Sequence, residues 1–150
     1  MKLLNKNRLT LCLFFLATIF SVASYGQCKR FTKKNCLPDL APFTHNGQLT
    51  SAVFNAGETA DIEMTFNAGK EYRIIACSQE TLGKVQFKVL DKTRKVLYKS
   101  EEGETNPSWD FKVANTQQLI IQIVVPKEDQ KNKLAQLTQS GCISLLIGFK

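Results

Sequence analysis

Apolar and polar residues alternate with a period of two along most of this chain, and this alternation is the feature that most restricts its fold. The clearest run is 59–66, in which every second residue is apolar. Successive side chains of a β-strand point to opposite faces of the sheet, so this run is typical of a half-buried strand. The nearly all-apolar run Leu119–Val125 is typical of a central strand that is buried on both faces.

About eight such segments follow one another, and Gly, Asn, Asp or Pro separates most of them. They are Leu49–Phe54, Ala60–Phe66, Tyr72–Cys77, Val85–Val89, Val96–Tyr98, Trp109–Val113, Leu119–Val125 and Ile143–Phe149. Many short strands with turn signals between them predict an all-β fold, an antiparallel, jelly-roll-like β-sandwich over 48–150. We expect 27–47 to be an irregular segment, because Pro38 and Pro42 oppose a continuous helix. Lys127–Ser140 reads as a solvated loop with at most one helical turn.

The first 26 residues have the pattern of a secretory signal peptide. Lys2, Lys6 and Arg8 precede the apolar run Leu9–Ala23. Small residues, Ser24 and Gly26, stand third and first before a cleavage point after Gly26. The run is shorter than the ~20 apolar residues that a membrane-spanning helix requires. We therefore expect an exported protein, periplasmic or secreted, with no transmembrane segment once the signal is removed.

The residue before Cys28 argues against a lipid anchor at that cysteine. A bacterial lipoprotein places a small residue directly before the lipidated cysteine, whereas this chain has Gln27 there. Export without lipid attachment is therefore the favoured outcome.

The charge of the chain is concentrated just after the signal. The formal net charge is +7, and signal removal takes three of these charges, which leaves a mildly basic +4. Nucleic-acid binders usually carry a stronger basic excess, so no nucleic-acid partner is expected. Four cations and one aromatic residue stand together in the cluster Lys29, Arg30, Phe31, Lys33 and Lys34. This cluster predicts contact with an anionic glycan, a lipid headgroup or an acidic protein, with a merely solvated basic segment as the alternative.

Four cysteines remain after export, namely Cys28, Cys36, Cys77 and Cys142. An even number in an exported domain predicts two disulfides. Three pairings are possible, and we favour Cys28–Cys36 with Cys77–Cys142, because the first two are close in sequence and the others lie in predicted strands. The spacing does not match a metal-binding pattern.

Catalytic signatures are weak. The single histidine, His45, lies in a turn-like stretch, and Ser51 and Asp39 are candidates for the nucleophile and the orienting acid beside it. No local motif of a nucleophilic enzyme accompanies them, so a polar turn residue is the favoured interpretation.

Acidic residues offer two further candidate sites. Asp61 and Glu63 lie on one face of a predicted strand and could cooperate as a catalytic pair of carboxylates. The favoured interpretation is the ordinary one, a polar face of the strand that is exposed to solvent. Glu101, Glu102 and Glu104 are weak candidates for calcium, since a calcium site needs more oxygen ligands than these three supply. We therefore expect no metal and no cofactor. Trp109 and Tyr98 could stack on sugars if exposed, but Trp109 shares its face with Phe111 and Val113, which favours core packing.

Four short stretches give the chain a family resemblance over 52–149: FNAGET at 54–59, AGKEYRI at 68–74, FKVLD at 87–91 and GCISLL at 141–146. In this order they resemble the prepeptidase C-terminal domains of secreted bacterial peptidases, which are small β-sandwiches. The resemblance implies an accessory or binding module. The acidic Asp-x-Asp cluster of that family is missing near 85–91, so the resemblance does not extend to calcium binding.

The sequence thus predicts a secreted, non-enzymatic β-sandwich that serves as a binding or accessory module of the bacterial cell envelope. The alternative is a small secreted hydrolase or enzyme inhibitor whose site is built from loops, because loops often carry function.

Overall fold

The computed structural model describes residues 28–127 and 139–150. The expected signal peptide at 1–26 and most of the expected loop Lys127–Ser140 lie outside these residues. Of the helices described, none has the length and apolar character needed to cross a bilayer.

The eight predicted strands are confirmed, and the described residues add a ninth short one at the N-terminal side. In chain order the strands are β1 Thr44–His45, β2 Thr50–Asn55, β3 Thr59–Phe66, β4 Glu71–Ser78, β5 Gln86–Leu90, β6 Val96–Lys99, β7 Ser108–Lys112, β8 Gln117–Val124 and β9 Ser140–Phe149. The strand β1 has only two residues, which is too few to show an alternating pattern, so the sequence did not predict it. It is held by pairing with Gly148 and Phe149 of β9.

The strands form two antiparallel sheets in jelly-roll order. The first sheet runs β2–β9–β4–β7, and β1 pairs with β9 beyond the end of β2. The second sheet runs β3–β8–β5–β6. This order is that of a double-sheet jelly roll, so the predicted fold class is confirmed.

The main core lies between the inner faces of the two sheets. Alternate residues of β4 and β9, such as Ile74 and Ile147, face Phe87, Ile121 and other apolar side chains of the second sheet. At one edge the rings of Tyr98, Trp109 and Phe111 stack on each other, with centroids 4.8 and 4.3 Å apart. Both Tyr98 and Trp109 pack against this core, as the alternation favoured, and burial is the main cause of the raised pKa of Tyr98.

The outer face of the first sheet is covered by residues 28–43, which we call the N-terminal segment. It forms a helical turn at 28–31, a π-helical turn at Thr32–Cys36 and a 3₁₀ turn at Leu37–Leu40. This segment is more ordered than the sequence predicted. Pro38 fits because it stands in the first positions of the 3₁₀ turn, where no N–H is needed. A further 3₁₀ turn, Glu80–Leu82, follows β4.

The cysteine pairing favoured from the sequence is wrong. Cys28 is bonded to Cys142, and the Cα atoms are 5.2 Å apart. Cys28 and Cys36 are eight positions apart along a helical path, a rise of about 12 Å, whereas bridged Cα atoms usually lie ~4.4–6.8 Å apart. Cys77 pairs in register with Ser144 rather than with Cys142. Cys36 and Cys77 are buried thiols.

Candidate anion-binding site

The four predicted cations occupy one exposed face of the N-terminal segment. Residues four apart lie on the same side of a helical turn, and the buried side is formed by Cys28, Thr32, Cys36 and Leu40. Lys29, Arg30, Lys33 and Lys34 fall on the opposite side and are all exposed. The same spacing that buries one row of side chains therefore gathers the cations into a single surface, which we call the basic face.

The basic face lines a shallow groove, and its charges are not paired with a carboxylate of the described residues. The groove has a volume of about 430 Å³, and the four cations line it. Over residues 28–127 and 139–150, none of the four forms an ion pair with a carboxylate. Lys29 with Lys33, and Arg30 with Lys34, are like-charge pairs at a spacing that destabilises a helical turn. A bound anion would relieve this repulsion.

The buried side of the segment is fixed to β9 by a disulfide and by a hydrogen bond between two hydroxyls. Beside the Cys28–Cys142 disulfide, the Thr32 hydroxyl donates to the carbonyl of Cys28 at 2.7 Å. Thr32 Oγ1 lies 2.6 Å from Ser144 Oγ. Because the Thr32 hydrogen is already used, the Ser144 hydroxyl donates to Thr32. Both hydroxyls are fully buried, so the pair satisfies groups that would otherwise be costly to bury.

The other end of the segment is held by Arg73 of β4. Its guanidinium donates to both carboxylate oxygens of Asp110 at 2.7 Å and to the carbonyl of Ala41 at 2.8 Å. It also lies 4.6 Å from the centre of the Phe43 ring. The hydrogen bond to Asp110 raises the pKa of Arg73 above its ordinary value. The basic face is thus carried by an element anchored at both ends.

Phe31 does not sit among the cations as the sequence suggested. Its half-buried ring packs with Leu37 and Leu49 against the apolar cluster beneath the segment. Phe31 is not among the residues that line the groove, so a stacking contact beside the charges stays a prediction.

The structure does not assemble the imagined catalytic group around His45. The N–H of Gly47 donates to His45 Nδ1 at 3.2 Å, and none of the described residues forms a hydrogen bond with the buried Nε2. Asp39 accepts from the Asn106 side chain at 2.9 Å. In the part of the chain that the structure describes, no hydrogen bond joins His45 to Asp39 or Ser51.

The acidic candidates lie on solvated surfaces. Asp61 accepts hydrogen bonds from Arg94 and from Gln122, and Glu63 accepts one from Gln118 at 3.1 Å. Both carboxylates are exposed on β3, as expected of a polar stripe.

Glu101, Glu102 and Glu104 are exposed, and Glu102 lies 3.9 Å from the Lys99 ammonium. Among the residues described, no group of three metal-ligating side chains comes together. A second groove of about 540 Å³ passes Glu102 and Lys84. It combines one carboxylate with one ammonium and therefore has no single charge preference.

Sequence reasoning found the cations of the site but missed the residues that position them. Thr32 and Ser144 meet across 112 positions of sequence, and no local pattern marks such a contact. The spacing of four between Cys28, Thr32, Cys36 and Leu40 is the signal that could have indicated the buried side of a helical segment. It was missed because threonine and cysteine are not counted as strongly apolar residues.

No family model matches the sequence, and no curated protein matches it. Similar solved structures include a periplasmic inhibitor of g-type lysozyme from Aeromonas hydrophila, which is 10% identical with a TM-score of 0.49. The match covers 69% of this chain and 85% of that one. Another is the pre-peptidase C-terminal domain of a collagenase from Bacillus anthracis, 11% identical with a TM-score of 0.48, covering 67% and 87% of the two chains. These likenesses concern the fold alone. At that level the resemblance to the prepeptidase C-terminal domains is supported.

Proposed function

We propose that this chain is an exported, non-catalytic β-sandwich that binds an anionic glycan through its basic face. The observation that carries the proposal is the gathering of Lys29, Arg30, Lys33 and Lys34 on one exposed face of an anchored segment. Clustered charge attracts a polyanion, and an element fixed to the sheet limits the conformational entropy lost on binding.

Export is supported by the disulfide between Cys28 and Cys142. Such bonds persist in oxidising compartments and are rare in the cytosol. Cys28 would be the second residue of a chain cleaved after Gly26. The disulfide would therefore attach the N-terminus of the mature chain to the sheet.

The inward position of Phe31 favours a glycan over a bilayer. Segments that bind membranes usually insert an apolar face between the headgroups, whereas the apolar side of this segment packs onto the first sheet. Three of the four cations are lysines, which act as point charges and suit a polymer with repeated acidic groups.

The proposal predicts that the mature protein is retained on a heparin column and that a quadruple variant is not. In the variant, Lys29, Arg30, Lys33 and Lys34 are replaced by Ser. We expect the wild type to elute at a clearly higher NaCl concentration, because salt screens exposed charges. The same two proteins are then mixed with vesicles containing an anionic phospholipid, which distinguishes a lipid headgroup from a glycan.

The matched control replaces Lys84, Lys92, Lys95 and Lys127 by Ser. All four are exposed and lie outside the N-terminal segment, so this variant has the same net charge as the first without losing the basic face. Equal retention of both variants would show that only net charge matters and would contradict the proposal. Binding to anionic vesicles but not to heparin would contradict the glycan assignment.

A further inference from the structure

Two thiols face each other under the N-terminal segment. Cys36 lies on the segment, Cys77 lies on β4, and both are fully buried. They belong to one apolar cluster, which we call the outer cluster: Cys36, Leu40, Phe43, Ile75, Cys77 and Leu146. After signal removal the other two cysteines, Cys28 and Cys142, form a disulfide, so the redox state of two thiols in one cluster needs to be explained.

The register of the sheet places Cys36 and Cys77 in the same row of contacts as the Cys28–Cys142 disulfide and the Thr32–Ser144 hydrogen bond. Cys77 of β4 pairs with Ser144 of β9, and Ser144 bonds to Thr32. Along the buried side of the segment, Cys28, Thr32 and Cys36 are spaced by four, and they meet Cys142, Ser144 and Cys77 in turn. Cys36 therefore lies opposite Cys77, as Cys28 lies opposite Cys142.

The ionisation of Cys77 agrees with a close approach of the two sulfur atoms. Its pKa is raised above the ordinary value, first by a hydrogen bond with Cys36, then by burial and by the charges of Cys36 and Asp39. A thiol in this state is a poor nucleophile inside the folded protein, since the thiolate is the reactive form.

We propose that Cys36 and Cys77 form a second disulfide in the exported protein, in addition to Cys28–Cys142. The oxidant is the disulfide of a thiol oxidase of the exported compartment. One thiolate of the chain attacks that disulfide to give a mixed disulfide, and the other then displaces the oxidase. The two chain thiols lose two electrons and two protons, and the oxidase is released with two thiols.

This bond has a structural consequence for the basic face. Lys29, Arg30, Lys33 and Lys34 all lie between Cys28 and Cys36. With both disulfides closed, the basic face is flanked by two covalent anchors, one on β9 and one on β4. Since both thiols are buried once the segment is in place, oxidation occurs as the segment docks and the closed bond is shielded from reductants. The inference does not depend on which anion binds.

The test is peptide mapping of the wild-type chain after export to an oxidising compartment, with free thiols alkylated in denaturant before digestion. Lysine and arginine separate the four cysteines, so trypsin places Cys36 in 35–70 and Cys77 in 74–84. We expect these two peptides to be linked by a bond that reductant breaks. Alkylation of both Cys36 and Cys77 beside an intact Cys28–Cys142 bond would overturn the proposal, and so would linkage of either to another cysteine.

Refolding gives a second, independent readout. The reduced chain is refolded with oxidised glutathione and compared with the double variant Cys36→Ala and Cys77→Ala, which retains Cys28–Cys142. We expect the wild type to have a melting temperature higher by about 5–10 °C, and the difference to disappear when reductant is added in denaturant before refolding. A difference of the same size in the fully reduced proteins would assign it to packing and contradict a stabilising disulfide.

Discussion

At the scale of single residues, Gly148 shows how closely the N-terminal segment approaches the first sheet. A Cβ atom built at this position would lie 2.7 Å from Phe43 Cβ and 3.0 Å from two atoms of the Leu40 side chain. The Phe43 atom is attached directly to the backbone, so it cannot turn away as a flexible side-chain end would. The glycine is therefore required by the packing of the segment rather than by its backbone angles.

We predict that Gly148→Ala lowers the free energy of unfolding by about 1–3 kcal/mol, the usual penalty for overpacking a close contact. Urea unfolding followed by Trp109 fluorescence would measure the change. Shortening the opposing side chain with Leu40→Ala removes part of the crowding, so the two substitutions together should destabilise by less than the sum of the single effects. An unchanged midpoint for Gly148→Ala would show that the segment does not pack on β9 as described.

The turn at Asp91 is a residue-scale feature with a local cause. Asp91 Oδ1 accepts hydrogen bonds from the backbone N–H of Thr93 and of Lys95, and from the Thr93 hydroxyl. The hydrogen bond from the Thr93 side chain is the main reason why the pKa of Asp91 is lowered. Asp, with its short acceptor side chain, favours such turns, and the information needed to recognise them is local.

At the scale of elements, strands were predictable and the N-terminal segment was only partly so. A strand such as β3 can be recognised from its alternating apolar and polar residues, because one of its faces is buried in the fold. The N-terminal segment buries Cys28, Thr32 and Cys36, whose side chains are small or partly polar, so its helical periodicity is faint. The pairing of Cys28 with Cys142 depends on the whole sheet arrangement, and no local spacing reveals it.

The contact between Thr32 and Ser144 joins the segment to β9 and yields a prediction at this scale. Thr32→Val or Ser144→Ala removes one partner from a buried hydroxyl pair, so we expect each to lower the free energy of unfolding by about 1–3 kcal/mol. The double variant should lose less than the sum, because the second change removes the group left without a partner. Strictly additive effects in urea unfolding would contradict the contact.

At the scale of the whole molecule, the two outer faces of the sandwich differ in charge. The first sheet is covered by the segment that carries the basic face. The outer face of the second sheet carries both signs, because Asp61 is paired with Arg94 and because Lys88 and Lys99 lie on the same face as Asp61 and Glu63. A polyanion is therefore attracted most strongly to the basic face, where four cations stand together and, among the described residues, form no ion pair with a carboxylate.

The measurement that tests the central claim most directly is the salt dependence of heparin binding. The affinity of the oxidised mature protein is determined at increasing NaCl concentration, alongside the variant without Lys29, Arg30, Lys33 and Lys34 and the control without Lys84, Lys92, Lys95 and Lys127. We predict a steep loss of affinity with salt for the wild type and the control, and weak binding with a shallow dependence for the first variant. The same steep dependence in all three proteins would contradict a binding site on the basic face.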